Sequence, residues 1–142
     1  MPGWVILATD TGVGKTHIGS RLVTASQAQK APLFPLKPVE TGCLPVSPQQ
    51  RRHTRQPLWP EDGAALASAS GHNYPLDEIC PLRFSTPAAA PEAARAENQS
   101  LWFNSDLAPI LDTRRAQPQL IETAGGLYSP VCEDALLSLI HI

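Results

Sequence analysis

A glycine-rich segment separates the first apolar run of this chain from its first helical pattern. The segment, residues 12–16, has the sequence Gly-Val-Gly-Lys-Thr, and the apolar run before it covers residues 3–8. Between a strand and a helix, the backbone N–H groups of such a turn face phosphate oxygens. Lys15 would add a point charge there, and Thr16 would place a hydroxyl on Mg²⁺. The strict pattern G-x-x-x-x-G-K-[ST] is not met, because its first position is Thr9, but the octapeptide as a whole favours nucleotide binding.

The periodicity of the chain predicts an α/β fold. A buried parallel strand is predicted at residues 3–8, and a helix at residues 15–29 whose apolar face carries Ile18, Leu22 and Ala25. Further strands are predicted at 33–39 and 119–122, further helices at 61–70 (ended by Gly71), 91–98 and 106–115 (with Asp106 as N-cap), and loops at 42–60 and 71–91. This order is typical of a parallel sheet with flanking helices, of the phosphate-loop NTPase type, here incomplete with three strands.

Charge is distributed unevenly along the chain. Residues 1–60 hold seven Lys or Arg and two Asp or Glu, whereas residues 61–142 hold four and eleven. A cationic first half suits a small polyanion. Within it, Arg51, Arg52 and Arg55 are expected to form a solvated loop cluster. The formal net charge of −2 is too small to predict nucleic-acid binding.

Apolar stretches are too short for a membrane span, which needs about 20 apolar residues. The run at residues 4–8 is also too short for a signal peptide. Cys43, Cys80 and Cys132 are scattered without a CxxC pair, which argues against a disulfide framework and a structural zinc site. We therefore expect a cytoplasmic protein.

Four segments of the chain resemble dethiobiotin synthetases, in that family's order. Residues 9–16 (TDTGVGKT) resemble its variant phosphate loop, and residues 37–42 (KPVETG) match its KPVxTG or KPVxSG element. Residues 86–94 (TPAAAPEAA) resemble its PxxPHxAA stretch, and residues 121–130 (IETAGGLYSP) its EGAGGxxxP element. The chain departs from the family's usual residues at three positions, which hold Ala8, Glu92 and Thr123.

The resemblance implies an ATP- and Mg²⁺-dependent ligase of biotin biosynthesis. In that reaction 7,8-diaminopelargonic acid takes up CO₂ as a carbamate, whose oxygen attacks the γ-phosphate of ATP. The second amine then closes the ureido ring, which gives dethiobiotin, ADP and phosphate. The resemblance also implies a homodimer, without nucleic-acid or membrane partners.

Phosphoryl transfer mainly requires positioning and charge neutralisation, so lysines and hard oxygen ligands are the expected site residues. Lys37 would project from the end of the second strand toward the γ-phosphate and carbamate, and Lys15 would act beside it. Thr41 and Thr11 would contact the substrate. The residues expected to bind the nucleotide are Gly12, Val13, Gly14, Lys15, Thr16, His17, Asp62 and Glu122. Those expected to hold Mg²⁺ are Thr16, Asp62, which matches an aspartate that opens a helix in the family, and Glu122, which ends a short apolar strand.

Two other interpretations stay open. A cobyrinate diamide synthase-like amidoligase would share the phosphate loop, and a ParA- or MinD-like nucleotide switch would use it to control partner binding. Residues 1–137 are expected to be the N-terminal part of one phosphate-loop ATPase-like synthetase domain, because family members are longer. Residues 138–142 are expected to be a non-native tail, and the 142-residue chain is expected to be inactive as a synthetase.

Overall fold

Short strands alternate with helices through residues 3–136, the part of the chain that this computed structural model describes. The strands are β1 (Trp4–Ile6), β2 (Phe34–Leu36), β3 (Val39–Glu40), β4 (Leu44–Pro45), β5 (Leu58–Trp59), β6 (Leu82–Arg83), β7 (Gln119–Glu122), β8 (Pro130–Cys132) and β9 (Ala135–Leu136). The α-helices are α1 (Lys15–Ala28), α2 (Glu61–Ala69), α3 (Leu76–Ile79), α4 (Ala90–Ala96) and α5 (Ala108–Asp112). The expected non-native tail, residues 138–142, lies outside the described residues.

Three parallel strands form the central sheet, in the order β1-β7-β2. Strand β7 pairs with β1 with Ile6 opposite Glu122, and with β2 with Leu36 opposite Ile121. This confirms the α/β class and the parallel sheet with flanking helices. Because the strands are parallel, their carboxyl ends meet at one edge of the sheet, where the glycine-rich segment and Lys37 follow.

Strand β1 is more exposed than its apolar sequence predicts. Trp4 is 63% exposed and Val5 is 53% exposed, so the prediction of a buried strand is wrong for these two residues. Among the described strands β1 lies at the end of the sheet, with β7 as its neighbour. An end position in a sheet covers less of a strand than a central position does, and the apolar sequence alone does not distinguish the two.

Helix α1 has the predicted extent but buries a different face. Gly19 and Val23 are buried, whereas Ile18 and Leu22 are 52% and 42% exposed, so the predicted apolar face is wrong. A Cβ on Gly19 would lie 3.3 Å from both Ile6 Cδ1 and the Leu66 side chain. The helix therefore approaches the sheet through a glycine, which an apolar periodicity does not reveal.

Two apolar clusters make up the core of the described chain. The first packs α1, α2 and α3 against the central sheet, with Val23, Phe34, Leu36, Leu66, Ala67, Leu76, Ile79 and Leu120 as its buried residues. The second packs α4 and the segments that follow it around β3 and β8, with Val39, Phe84, Ala90, Ala93, Ala94, Leu101, Leu107, Val131 and Cys132.

Secondary structure outside the sheet departs from the predictions in three places. The predicted strand at 33–39 divides into β2 and β3, and the regions predicted as loops contain the β4–β5 pair, α3 and β6. A π-helical turn at Phe103–Leu107 precedes α5, so Asp106 is not the predicted N-cap. Its carboxylate instead accepts the N–H of Trp102 at 2.8 Å. Leu107, the last residue of this turn, is buried in the second cluster.

A buried arginine ties these irregular segments together. The Arg83 guanidinium, whose side chain is 0% exposed, donates to the carbonyls of Cys80, Leu58 and Leu76 and to the side chains of Thr54 and Asp77. In contrast, Arg51, Arg52 and Arg55 are all exposed, in agreement with their prediction as a solvated cluster. The arginine that shapes this region was therefore not singled out by the charge pattern.

Candidate active site

The glycine-rich segment forms an exposed turn at the carboxyl end of β1. Gly12 and Gly14 have φ of +70° and +101°, and Gly14 is the N-cap of α1. A Cβ at either position would have nothing within 4 Å, so the requirement for glycine there is conformational and not a matter of space. The turn leads into α1 at Lys15, as the sequence predicts.

Lys15 lies at the first position of α1 and turns back over the loop. Its ammonium donates to the Asp10 carbonyl at 3.0 Å. Partial burial lowers the pKa of Lys15, and the nearby positive charge of Lys37 lowers it further. Two lysines thus face one small region, which favours an anion between them.

Lys37 follows β2 directly and is buried at the sheet edge. Its ammonium lies 2.8 Å from Glu122 Oε1, 3.0 Å from Asp62 Oδ2 and 3.5 Å from the Thr123 carbonyl oxygen. Burial alone would lower the pKa of Lys37, but the carboxylates of Glu122 and Asp62 outweigh burial and the net shift is upward. Lys37 is therefore held as a cation.

Glu122 ends β7 and is fully buried. Its Oε1 also accepts the Thr16 hydroxyl at 2.7 Å. Three segments therefore meet on one carboxylate: the start of α1, the end of β2 and the end of β7. Asp62 joins them from the first turn of α2, where its side chain is 42% exposed.

One cleft of about 400 Å³ contains nearly all of the site residues that the sequence predicts. Its lining is Thr11, Gly12, Gly14, Lys15, Thr16, His17, Lys37, Glu40, Thr41, Asp62, Glu122, Ala124 and Gly125. Val13 is outside this lining, and its side chain is 55% exposed. Residues from four distant parts of the chain thus converge as the motifs indicate.

A second cleft of about 420 Å³ adjoins the first. Both clefts share Thr11, Thr41, Ala124 and Gly125. Residues 87–90 of the proline-rich segment line the second cleft, and a Cβ on Gly42 would lie 3.4 Å from the Pro87 Cβ. The four motif segments therefore surround two connected spaces.

Two of the residues that depart from those usual in dethiobiotin synthetases, Thr123 and Glu92, differ in their surroundings. Thr123 is buried, and its hydroxyl donates to the Ile6 carbonyl at 2.9 Å. Glu92 is exposed on α4.

Cys43 is buried next to Thr41, and burial raises the pKa of its thiol to about 12, which leaves it unreactive at neutral pH.

Sequence reasoning missed Glu40. This residue is 7% exposed, and its two carboxylate oxygens accept the N–H groups of Asp62 and Gly63, each at 3.0 Å. Burial raises the pKa of Glu40, although both hydrogen bonds oppose the shift. A buried acid in a strand is the one signal that could have drawn attention to it, because its partners are more than 20 positions away.

Comparison with known proteins assigns this chain to a family. A family described as "AAA domain" matches residues 3–141. The chain belongs to this AAA domain family. The family is a phosphate-loop NTPase domain, in agreement with the fold and the loop described above.

Individual relatives of this AAA domain carry a more specific name. A protein of Anaeromyxobacter sp. (strain Fw109-5), named ATP-dependent dethiobiotin synthetase, is 34% identical over 139 residues, which cover 94% of this chain and 55% of that protein. Proteins of the same name from Caulobacter vibrioides (strain NA1000 / CB15N) and Wolinella succinogenes are 31% and 33% identical, covering 95% and 91% of this chain and 58% and 56% of their own lengths. The chain thus spans about half the length of the curated relatives it matches.

Three oxygen donors of this AAA domain could hold a magnesium ion. Within residues 3–136, no cluster of three or more His, Cys, Asp or Glu side chains is arranged to hold a metal. Mg²⁺, however, commonly uses only one or two carboxylates together with phosphates and water. Thr16, Asp62 and Glu122 could supply such a set, and the buried Glu122 Oε2 has no hydrogen-bond partner among the described residues.

Among residues 3–136, none of the helices is long and apolar enough to cross a membrane.

Gly126 should be intolerant of a side chain, since it packs directly on the phosphate loop. A Cβ there would lie 2.4 Å from the Thr9 carbonyl oxygen, whereas a Cβ on Gly3 would lie 3.7 Å from its nearest neighbour. Gly126→Ala should lower the free energy of unfolding by about 1–3 kcal/mol, the usual cost of overpacking. Gly3→Ala, the matched control, should change it by less than about 0.5 kcal/mol. Urea unfolding of both variants measures the difference, and equal stabilities would contradict the close approach.

Proposed function

We propose that the full-length protein is an ATP- and Mg²⁺-dependent dethiobiotin synthetase, of which residues 1–137 are the N-terminal part. The observation that carries the proposal is the meeting of Lys37, Glu122 and Thr16 within hydrogen-bond distance beside the phosphate loop. Relatives of that name match across 94% of the chain. The substrates would be ATP, CO₂ and 7,8-diaminopelargonic acid, and the protein would act as a cytoplasmic homodimer.

The two clefts suit the two halves of the substrate set. The first, with Lys15 and Lys37, suits the phosphates of ATP because both lysines face it. The second, next to Thr11 and Thr41, suits the diamine and its carbamate. Since the clefts share four lining residues, a carbamate in one would lie beside the γ-phosphate in the other, as phosphoryl transfer requires.

Within this proposal the chain's own residues bind, orient and neutralise. The phosphate loop would hold the β- and γ-phosphates by its N–H groups, and Lys15 would balance their charge. Lys37 would stabilise the charge that develops as the carbamate oxygen attacks phosphorus and ADP leaves. Thr16, Asp62 and Glu122 would hold Mg²⁺, which would supply positive charge to offset the charge of the phosphates.

Ring closure needs no nucleophilic side chain. The second amine attacks the carbonyl carbon of the mixed carbamic–phosphoric anhydride, and phosphate leaves with its bonding electrons while the amine loses a proton. Thr11 and Thr41 would orient the chain that carries both amines, so that the second amine reaches this carbon. Positioning is therefore the main contribution of the second cleft.

Isotope incorporation tests this function directly. The full-length protein, given ATP, Mg²⁺, labelled bicarbonate and the diamine, should produce labelled dethiobiotin and one ADP per product. An analogue that carries a single amine should give no labelled ring, because the closing nucleophile is missing. A rate of ATP hydrolysis that does not depend on the diamine would contradict the proposal and favour a nucleotide switch.

A further inference from the structure

The N-terminus of α2 has no capping side chain of its own. Its N-cap residue is Pro60, which offers no side-chain acceptor, and no side-chain hydrogen bond caps the helix from that position. The first N–H groups of any helix lack partners within the helix. In α2 the amides of Asp62 and Gly63 find theirs in Glu40, through Oε1 and Oε2 respectively, each at 3.0 Å.

This cap comes from a rigid part of the fold. Glu40 lies on β3, which pairs in parallel with β6 so that Glu40 is opposite Arg83. The fully buried Arg83 guanidinium is in turn fixed by hydrogen bonds to three carbonyls and two side chains. The Glu40 backbone therefore has little freedom, and the carboxylate is a fixed anchor for the first turn of α2.

The contact also requires a close approach of α2. A Cβ on Gly63 would lie 2.7 Å from the Cys80 Cβ and 3.3 Å from the Pro60 ring. The first turn of α2 is thus packed against the Cys80 side chain, whose thiol lies 3.8 Å from Glu40 Oε2. A displacement of this turn away from Glu40 would break the two hydrogen bonds and would carry Asp62 with it.

Asp62 is held at two points by one short segment. Lys37 pairs with its carboxylate at 3.0 Å, and Glu40, three residues later, accepts its N–H at 3.0 Å. Glu40 forms hydrogen bonds to α2 only through backbone N–H groups, so its contribution to Asp62 is to orientation. The side chain that it orients is half-exposed and faces the cleft.

We propose that Glu40 is a positioning residue that fixes Asp62 for a divalent cation, an inference that rests on the function proposed above. Glu40 fills the variable position of the KPVxTG element, so the role belongs to the particular residue that this chain carries there. Partners of this kind, which orient a metal ligand without touching the metal, typically change metal affinity about 10- to 100-fold when they are removed.

The test uses Glu40→Gln, Asp62→Asn and the double variant in the full-length protein. The glutamine keeps one acceptor oxygen but turns an amide N–H₂ toward a helix N–H. With ADP constant, the Mg²⁺ concentration that gives half-maximal thermal stabilisation should rise about tenfold in Glu40→Gln. Asp62→Asn should raise it at least as much, and the double variant should equal Asp62→Asn, because the two residues act through one ligand. Glu61→Gln, an exposed acid of the same helical turn, is the control and should leave it unchanged.

The outcomes separate this inference from the proposed function. If Asp62→Asn raises the Mg²⁺ requirement but Glu40→Gln does not, the positioning role alone is wrong. If both raise it and the effects multiply in the double variant, Glu40 acts independently of Asp62 and the inference is overturned. If Asp62→Asn has no effect, the proposed metal site fails and the inference fails with it.

A measurement on the unmodified protein covers the case in which Glu40→Gln does not fold. The amides of Asp62 and Gly63 should exchange with deuterium about tenfold more slowly than that of Glu61, since helix N-terminal amides are otherwise unprotected. Exchange of all three at one rate would show that the cap does not form in solution, and would overturn the proposal.

Discussion

Replacing Lys37 with methionine should lower the turnover of the proposed synthetase by about 10²- to 10³-fold, the usual effect of losing one transition-state charge contact. The ammonium lies in the first cleft, 2.8 Å from Glu122 Oε1. Methionine keeps most of the volume and removes the charge. Rapid-quench measurement of ADP formation in the full-length protein isolates the phosphoryl-transfer step and checks the expected loss.

The same substitution should also destabilise the protein, because it leaves a buried carboxylate without its cation. The Lys37 and Glu122 side chains are 5% and 1% exposed, and removing one partner of such a pair costs about 3–5 kcal/mol. The pKa of Lys37 is raised in the folded protein above its ordinary value of 10.5. The stability that this pair provides is therefore fully present below pH 10.5 and is lost as the pH rises through the pKa of Lys37 in the folded protein. Urea unfolding at pH 7 therefore measures the whole effect.

A double variant separates the two roles of Lys37. Lys37→Met combined with Glu122→Gln removes both charges, so it should recover much of the stability that Lys37→Met loses. Turnover should stay low, since no cation returns to the cleft and the variant also lacks Glu122, a proposed Mg²⁺ ligand. Recovery of turnover together with stability would show that Lys37 acts only in folding.

Local sequence patterns predict the elements of this fold better than their arrangement. Residues 119–122 were predicted as a strand with the bounds that β7 has, and α1 and α2 begin at the predicted residues. Each has a strong local signal: an apolar run, a glycine turn or a terminating glycine. The order β1-β7-β2 depends on pairing between strands more than 80 positions apart, and no local pattern encodes it.

The candidate site shows the same division. Lys15 and Lys37 were proposed from the glycine-rich segment and the KPVETG element, and Glu122 was proposed because it ends a predicted strand. Parallel strands bring the residues at their carboxyl ends to one edge of the sheet. Glu40 was missed because its function depends on N–H groups 22 and 23 positions later. Apolar periodicity predicted that Ile18 and Leu22 lie on the buried face of α1. The buried face is instead set by the close approach of Gly19, which carries no apolar side chain.

Glu122→Gln should raise the Mg²⁺ concentration needed for nucleotide binding by about 100-fold or more. Changes in residues that only orient a ligand cost about 10- to 100-fold, and a proposed ligand that loses its charge should cost at least as much. The amide keeps the shape of the side chain and the oxygen that accepts the Thr16 hydroxyl. Calorimetric titration of ADP at several Mg²⁺ concentrations measures the shift, with Glu92→Gln, an exposed acid on α4, as the control.

Replacing Lys37 should shift the Mg²⁺ requirement of the same site in the direction opposite to Glu122→Gln. Lys37 and Thr16 both bind Glu122 Oε1, so a cation that joins this carboxylate competes with the ammonium for the same charge. Lys37→Met should therefore lower the Mg²⁺ requirement while Glu122→Gln raises it, although both variants lose turnover. A general loss of structure would raise the requirement in both. Shifts in opposite directions would thus place Glu122 at the metal and Lys37 beside it, and an unchanged requirement in Glu122→Gln would remove Glu122 from the site.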